Sequence, residues 1–201
     1  MAEQAISQLA EQNGPTKLLV LSYHPLSDEL GIQKSEARKD YYLVRGFPAI
    51  VFNGIEIISG VSSVSEMVKR YDDKINLVKE GDSGVTLQMK GKIESRMAQV
   101  EASITLDKKT SLAGMSYRWV LFERRVRGRR GIYHNVVRDM SEVYTNVKPG
   151  TTKTVPVYFS LPASATGDNW GVALLIQDDS TKKIVAAAST LLIGVAEEEN
   201  K

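Results

Sequence analysis

An α/β segment followed by an all-β segment is the fold class this sequence predicts. Two observations carry that prediction. Up to about residue 78, apolar residues recur at helical spacing or gather in short runs; from Gly84 onward they alternate with polar residues, segment after segment. The charge balance also turns over. Residues 1–82 hold 9 Lys+Arg against 12 Asp+Glu, net −3, whereas residues 83–201 hold 17 against 12, net +5. The turn-rich stretch "KEGDSG" at 79–84 separates the two patterns and sets the boundary. This divides the chain into an α/β domain at 1–82, an all-β domain at 83–195 and a disordered tail at 196–201.

The first elements follow in order. Ala5, Ile6, Leu9 and Ala10 repeat at helical spacing until Asn13-Gly14-Pro15 stops them. "KLLVLSYH" (17–24) is a short apolar run, the pattern of a strand buried on both faces. Ser35 has the chemistry of an N-cap and Glu36 suits a first helical turn, giving a short helix to about Tyr42. "PAIVF" is a strand, Asn53-Gly54 a hairpin turn whose residues tolerate positive φ, and "IEIIS" (55–59) the returning strand. Ser63 and Glu66 fit a capping box, after which Val64, Met67, Val68, Tyr71, Ile75 and Val78 line one helix face.

The proline that opens "RGFPAIVFNG" is the distinctive feature of this half. On the residues alone Pro48 is most simply a trans strand-starter, which a first strand position permits. Taken with the order of helices and hairpin, however, the stretch resembles the thioredoxin fold, in which a cis-proline precedes the hairpin strand and faces a Cys-x-x-Cys motif. The resemblance implies a cis bond at Pro48, a conformation found at about 5–6% of X–Pro bonds in folded proteins. The chain departs from that family in lacking the first strand and the Cys-x-x-Cys. The expected domain is therefore an incomplete, redox-inactive thioredoxin-like one, with a vacancy between "KLLVLSYH" and "PAIVF" to be filled or closed.

The second half carries seven strand patterns: 85–95, 97–107, 116–126, 131–140, 152–161, 169–178 and 183–192. Turn signals such as Lys148-Pro149-Gly150 and Asp178-Asp179-Ser180 separate them. Seven short strands over roughly 110 residues predict an antiparallel β-sandwich of immunoglobulin-like type. The pairing of the two halves, with "VLFER" (120–124), "HNVVRDM" (134–140) and "QDDSTKKIVAAA" (177–188) in the second, is similar to the Omp28-related family of bacterial extracytoplasmic proteins. That resemblance implies an exported protein with an interaction role and offers no catalytic residues to carry over.

Composition narrows the chemistry. With no cysteine among 201 residues, disulfides, thiolate metal sites and dithiol exchange are excluded for this chain. No run approaches the roughly 18–20 apolar residues of a membrane-spanning helix, and Met1-Ala2-Glu3-Gln4 does not read as a signal peptide. Neither a G-x-S-x-G elbow nor a phosphate-binding glycine loop is present. His24 precedes Asp28 by four residues, too few ligands for a metal. His134 shares a strand face with Arg138, the pattern of a solvated face.

The strongest charge signal is "ERRVRGRRG" (123–131), in which Arg124, Arg125, Arg127, Arg129 and Arg130 crowd a hairpin tip around Gly128. Guanidinium forks suit carboxylate and phosphate groups, and a charged tip also blocks edge pairing. The expectation is a non-enzymatic extracytoplasmic binding or structural protein without cofactor or metal. Its partner is a protein, an anionic envelope component or a second copy of the chain. Nucleic acid is disfavoured by slight aromatic interleaving and a net charge of only +2. The alternative is a fragment of a thiol-disulfide oxidoreductase relative whose cysteines lie upstream of Met1.

Overall fold

The computed structural model describes residues 1–14, 16–78, 83–129, 131–165 and 167–194. Among them the chain is mixed α/β and mostly sheet, with three α-helices and ten strands. Residues 79–82 of the boundary stretch 79–84, and the tail at 196–201, lie outside the described residues.

Helix α1 (Ala2–Asn13) buries Ala5, Ile6 and Leu9 on one face, and α3 (Val64–Val78) buries Met67, Tyr71 and Val78. The Glu66 N–H donates to Ser63 Oγ at 3.3 Å, one half of the capping box. Strands β1 (Ala49–Phe52) and β2 (Glu56–Ser59) pair antiparallel around a turn in which Asn53 and Gly54 have φ of 45° and 81°. The Phe47–Pro48 peptide bond is cis. Phe52 and Ile58 of the hairpin, both helices, Leu18 and Val20 close into one small core. Helix α2 (Gln33–Tyr41) begins two residues before Ser35, so Ser35 is no cap. Ile32 holds the cap position without a side-chain bond, and Ser35 is buried inside the helix.

The all-β part consists of β3 (Val85–Glu94), β4 (Met97–Leu106), β5 (Met115–Gly128), β6 (Gly131–Glu142), β7 (Thr152–Ser160), β8 (Trp170–Asp178), β9 (Ile184–Leu191) and β10 (Ile193–Gly194). One sheet has the order β10-β3-β4-β7 and the other β6-β5-β8-β9. Every pairing is antiparallel except the short parallel contact of β10 with β3. Val100, Ile104, Val155 and Val157 of the first sheet pack on Tyr117, Trp119, Val172 and Leu174 of the second. That is the alternation by which two sheets bury one face each.

The second sheet is covered on its other face as well. Val120, Phe122, Val137, Ala173 and Leu175 lie beneath Leu19, Leu21, Tyr23 and Ile32. Three layers result: helices and hairpin, then β6-β5-β8-β9, then β10-β3-β4-β7. Strand β8 is consequently buried at every position from Trp170 to Gln177.

The segment 17–24 departs from expectation. It is extended but forms no strand with the hairpin, and β1 and β2 make a sheet of two. Its alternation is real, with Leu18 and Val20 entering the helical core while Leu19, Leu21 and Tyr23 enter the inter-layer core. Its backbone goes to β6 instead. The Ser22 N–H donates to Asn135 O at 2.9 Å, and the Val137 N–H donates to Ser22 O at 3.0 Å, a single parallel bridge. Asn135, at φ 50°, adds a side-chain donation to Val20 O at 3.0 Å. A two-sided apolar run fixes burial but not its hydrogen-bond partner, and here the edge of the sandwich took that role.

The hairpin turn anchors the other end of the first layer. The Ile184 N–H donates to Asn53 O at 2.8 Å. A Cβ on Gly54 would lie 1.9 Å from Lys182 O, so both the positive φ and the close approach require glycine there.

Candidate functional site

The β5–β6 hairpin presents the arginines as a ladder. Arg125 pairs with His134, Arg127 with Ile132 and Gly128 with Gly131. Two of the side chains are tethered. Arg124 Nη1 donates to Asp168 O at 3.0 Å, and Arg129 Nε lies 3.0 Å from Glu29 Oε2, its backbone N–H also bonding that carboxylate. The backbone is clamped too: Asn169 Oδ1 accepts the Arg125 N–H at 3.0 Å and Asn169 Nδ2 donates to Arg125 O at 3.2 Å. Arg125 and Arg127 are exposed, and their guanidinium groups have no protein anion among the described residues. Arg130 lies outside the described residues. The hairpin is thus a held scaffold carrying two free cations.

The histidines do not join a site. His24 Nδ1 lies 3.3 Å from Asp28 Oδ1 and its ring meets Tyr133 edge-on at 4.9 Å, while His134 is exposed. Among the described residues no group of three or more His, Cys, Asp or Glu is placed to hold a metal. No helix among them is long and apolar enough to cross a membrane.

A second polar constellation lies where α2 meets the doubly covered sheet. Arg118 of β5 stands on the face of Val120 and Phe122, and Gln177 closes the apolar run of β8. Arg38 reaches them from α2. Arg38 and Arg118 are each only 8% exposed and Gln177 is fully buried. Gln177 Oε1 accepts from Arg38 Nη2 and from Arg118 Nη1, each at 3.0 Å. Gln177 Nε2 donates to Tyr42 Oη at 2.8 Å and to Lys182 O. Arg118 also takes two carboxylates, Glu142 at 2.8 Å through Nε and Asp179 at 2.6 Å through Nη2, and donates to Ser116 Oγ. The Tyr41 ring collects cations: Arg38 Cζ at 4.6 Å, Arg118 Cζ at 5.1 Å and Lys182 Nζ at 5.4 Å from its centroid.

Titration follows from this packing. Burial pushes the Tyr23 phenol up to about 12, against the pull of Arg38. Burial, with the hydrogen bond to Asp179, pushes Tyr41 to about 12 as well. Asp179 is held below its ordinary range, because bonds from Tyr41, Arg118 and Ser116 outweigh its own burial.

The arginine hairpin was legible as a run of one residue type. The Arg38–Gln177–Arg118 constellation was not, since its members are as much as 139 residues apart. The available signals were a charge inside the buried pattern "SYRWVLF" and an amide ending "GVALLIQ".

Known proteins share the architecture. The chain is similar to a structural-genomics protein from Agrobacterium tumefaciens, with TM-score 0.61 and 22% identity over 94% of this chain and 86% of that one. It is also similar to HBP35 of Porphyromonas gingivalis, with TM-score 0.60 and 12% identity over 81% of this chain and 59% of that one. A domain of the outer membrane lipoprotein Omp28 from Porphyromonas gingivalis aligns at TM-score 0.42 and 10% identity, over 56% of this chain and 91% of that one. The likenesses to the first two are likenesses of fold. No family model and no curated protein matches the chain.

Proposed function

We propose that this chain is a non-catalytic binding or structural protein of the extracytoplasmic space, in which a cysteine-free thioredoxin-like layer rides on an immunoglobulin-like sandwich. The first part of that reading is supported by helices α1 and α3 packed on a hairpin entered through Pro48. The second is supported by the division of seven strands into β3-β4-β7 and β6-β5-β8-β9, the Greek-key grouping of such sandwiches. The compartment in this reading rests on the resemblance of the sequence to the Omp28-related family.

One observation carries the binding role. Arg125 and Arg127 are held out on a clamped hairpin without counter-ions among the described residues, while Arg124 and Arg129 on the same strand end are tethered. A polyanionic envelope component, glycan or lipid headgroup, would meet two guanidinium groups on a backbone already clamped, so only the two side chains remain to be ordered.

Retention on immobilised heparin and on anionic vesicles tests it. The native chain should be retained at low salt and released as ionic strength rises through the physiological range, where exposed charges are screened over about 8–10 Å. The double variant R125S/R127S should lose retention while its unfolding midpoint moves little, about 0.5 kcal/mol per exposed site or less. Equal retention of variant and parent would overturn the role of the hairpin.

A further inference from the structure

A cleft of about 270 Å³ opens beside the buried arginines, between α2 and the β5–β6 edge, walled by Lys34, Ala37, Arg38, Tyr41, Arg118, Met140 and the carboxylate-bearing Glu142. Its cations are unequally served. Lys34 Nζ holds Asp139 at 2.5 Å, and Arg118 takes both Glu142 and Asp179. Among the described residues Arg38 hydrogen-bonds no carboxylate. Its Nη2 donates to Tyr42 Oη at 2.6 Å and to the shared Gln177 oxygen, both neutral acceptors. Its Nε is buried and donates to nothing among the described residues. A guanidinium nine-tenths buried with an idle donor is costly, because charge and N–H groups removed from water need acceptors in return.

The missing acceptor can be specified. Counting Lys182, whose Nζ donates to Tyr41 O at 2.7 Å, the cluster holds Arg38, Arg118 and Lys182 against Glu142 and Asp179. One positive charge is left over, which one monoanion would balance. A dianion such as a phosphate monoester would add a second charge facing Glu142 and Asp179. The Tyr41 ring, the Ala37 methyl and the Met140 side chain are apolar walls that accept a hydrocarbon or aromatic body. We propose that this cleft binds a small organic monocarboxylate with an apolar body, its carboxylate on Arg38 and its body against Ala37, Tyr41 and Met140. The site is separate from the arginine hairpin and stands whether or not that hairpin binds polyanions.

Phenylacetate, with neutral phenylacetamide as its isostere, tests the proposal on the intact chain. Each is titrated to about 10 mM while arginine Nε–H and backbone amide resonances are followed by NMR. Phenylacetate should shift the Arg38 Nε–H and the Met140 amide saturably, and the amide should bind at least about ten-fold more weakly. Arg38→Gln should abolish the phenylacetate response and leave retention on heparin unchanged. Should that variant fail to fold, the acid–amide comparison on the native chain still decides. Equal binding of acid and amide, shifts confined to Arg125 and Arg127, or no saturable shift at all would each overturn the proposal.

Discussion

Gln177 is the residue on which the fit between the first layer and the sandwich can be tested most directly. All four of its hydrogen-bonding valences are occupied: two acceptances from Arg38 and Arg118 and two donations to Tyr42 and the Lys182 carbonyl. Gln177→Leu keeps the volume and deletes all four. The two charge-assisted bonds are worth about 1.5–3 kcal/mol each, and the two neutral partners left buried add further cost. Against this, Arg118 keeps Ser116, Glu142 and Asp179, and Arg38 keeps Tyr42. The net loss should be about 3–5 kcal/mol, a fall in unfolding temperature of about 6–20 °C for a chain of this size. Gln177→Glu restores an acceptor for both guanidinium groups and sacrifices only the two donations, so it should lose less than the leucine variant. Urea unfolding would be followed by tryptophan fluorescence, which reports Trp119 and Trp170 inside the sandwich, and by circular dichroism, which reports the helices of the first layer. A leucine variant within about 1 kcal/mol of the parent, or a glutamate variant worse than the leucine one, would refute the assignment of Gln177 as the polar link between layers.

Two further outcomes follow from the geometry. Gly54→Ala should cost about 2–4 kcal/mol, combining positive-φ strain with displacement of the turn from Lys182 O, and chemical denaturation would measure it. Tyr23 and Tyr41 have folded-state pKa values raised from 10.0 to about 12, so their contribution to stability is complete below pH 10 and is lost as pH rises toward 12. Tyr23→Phe should flatten that alkaline decline, and an unchanged profile of urea midpoint against pH would remove Tyr23 from the account.

Much of the sandwich was legible because its strands obey a local rule. β4 and β7 alternate apolar and polar residues, and period two fixes which side of each faces the core. β5 and β8 break that rule with the runs "WVLF" and "GVALLI", and their unbroken apolarity records the third layer, which covers their second face. The segment 17–24 shows where local reading stops. Its burial is written in its residues, but its hydrogen-bond partner, Asn135 to Val137 on β6, lies more than a hundred positions away. Ser35 failed for a related reason: N-cap chemistry is shared by residues that are merely small enough to be buried inside a helix. The arginine hairpin could be seen because its charges adjoin in sequence, whereas the cleft depends on Arg38, Arg118 and Gln177 meeting only after three layers assemble.

That assembly has a consequence for the order in which the chain is made. Arg38 leaves the ribosome 139 residues ahead of the Gln177 that receives it. At about 5–20 residues per second the interval is roughly 7–28 s. Leu19, Leu21 and Tyr23 can cover β5 and β6 once those strands pair, but their floor is complete only when Leu175 of β8 has emerged. The first layer is therefore synthesised early and docked late. A chain ending before Gln177 lacks the amide that joins Arg38 to Arg118, so its first layer lies on an unfinished sheet.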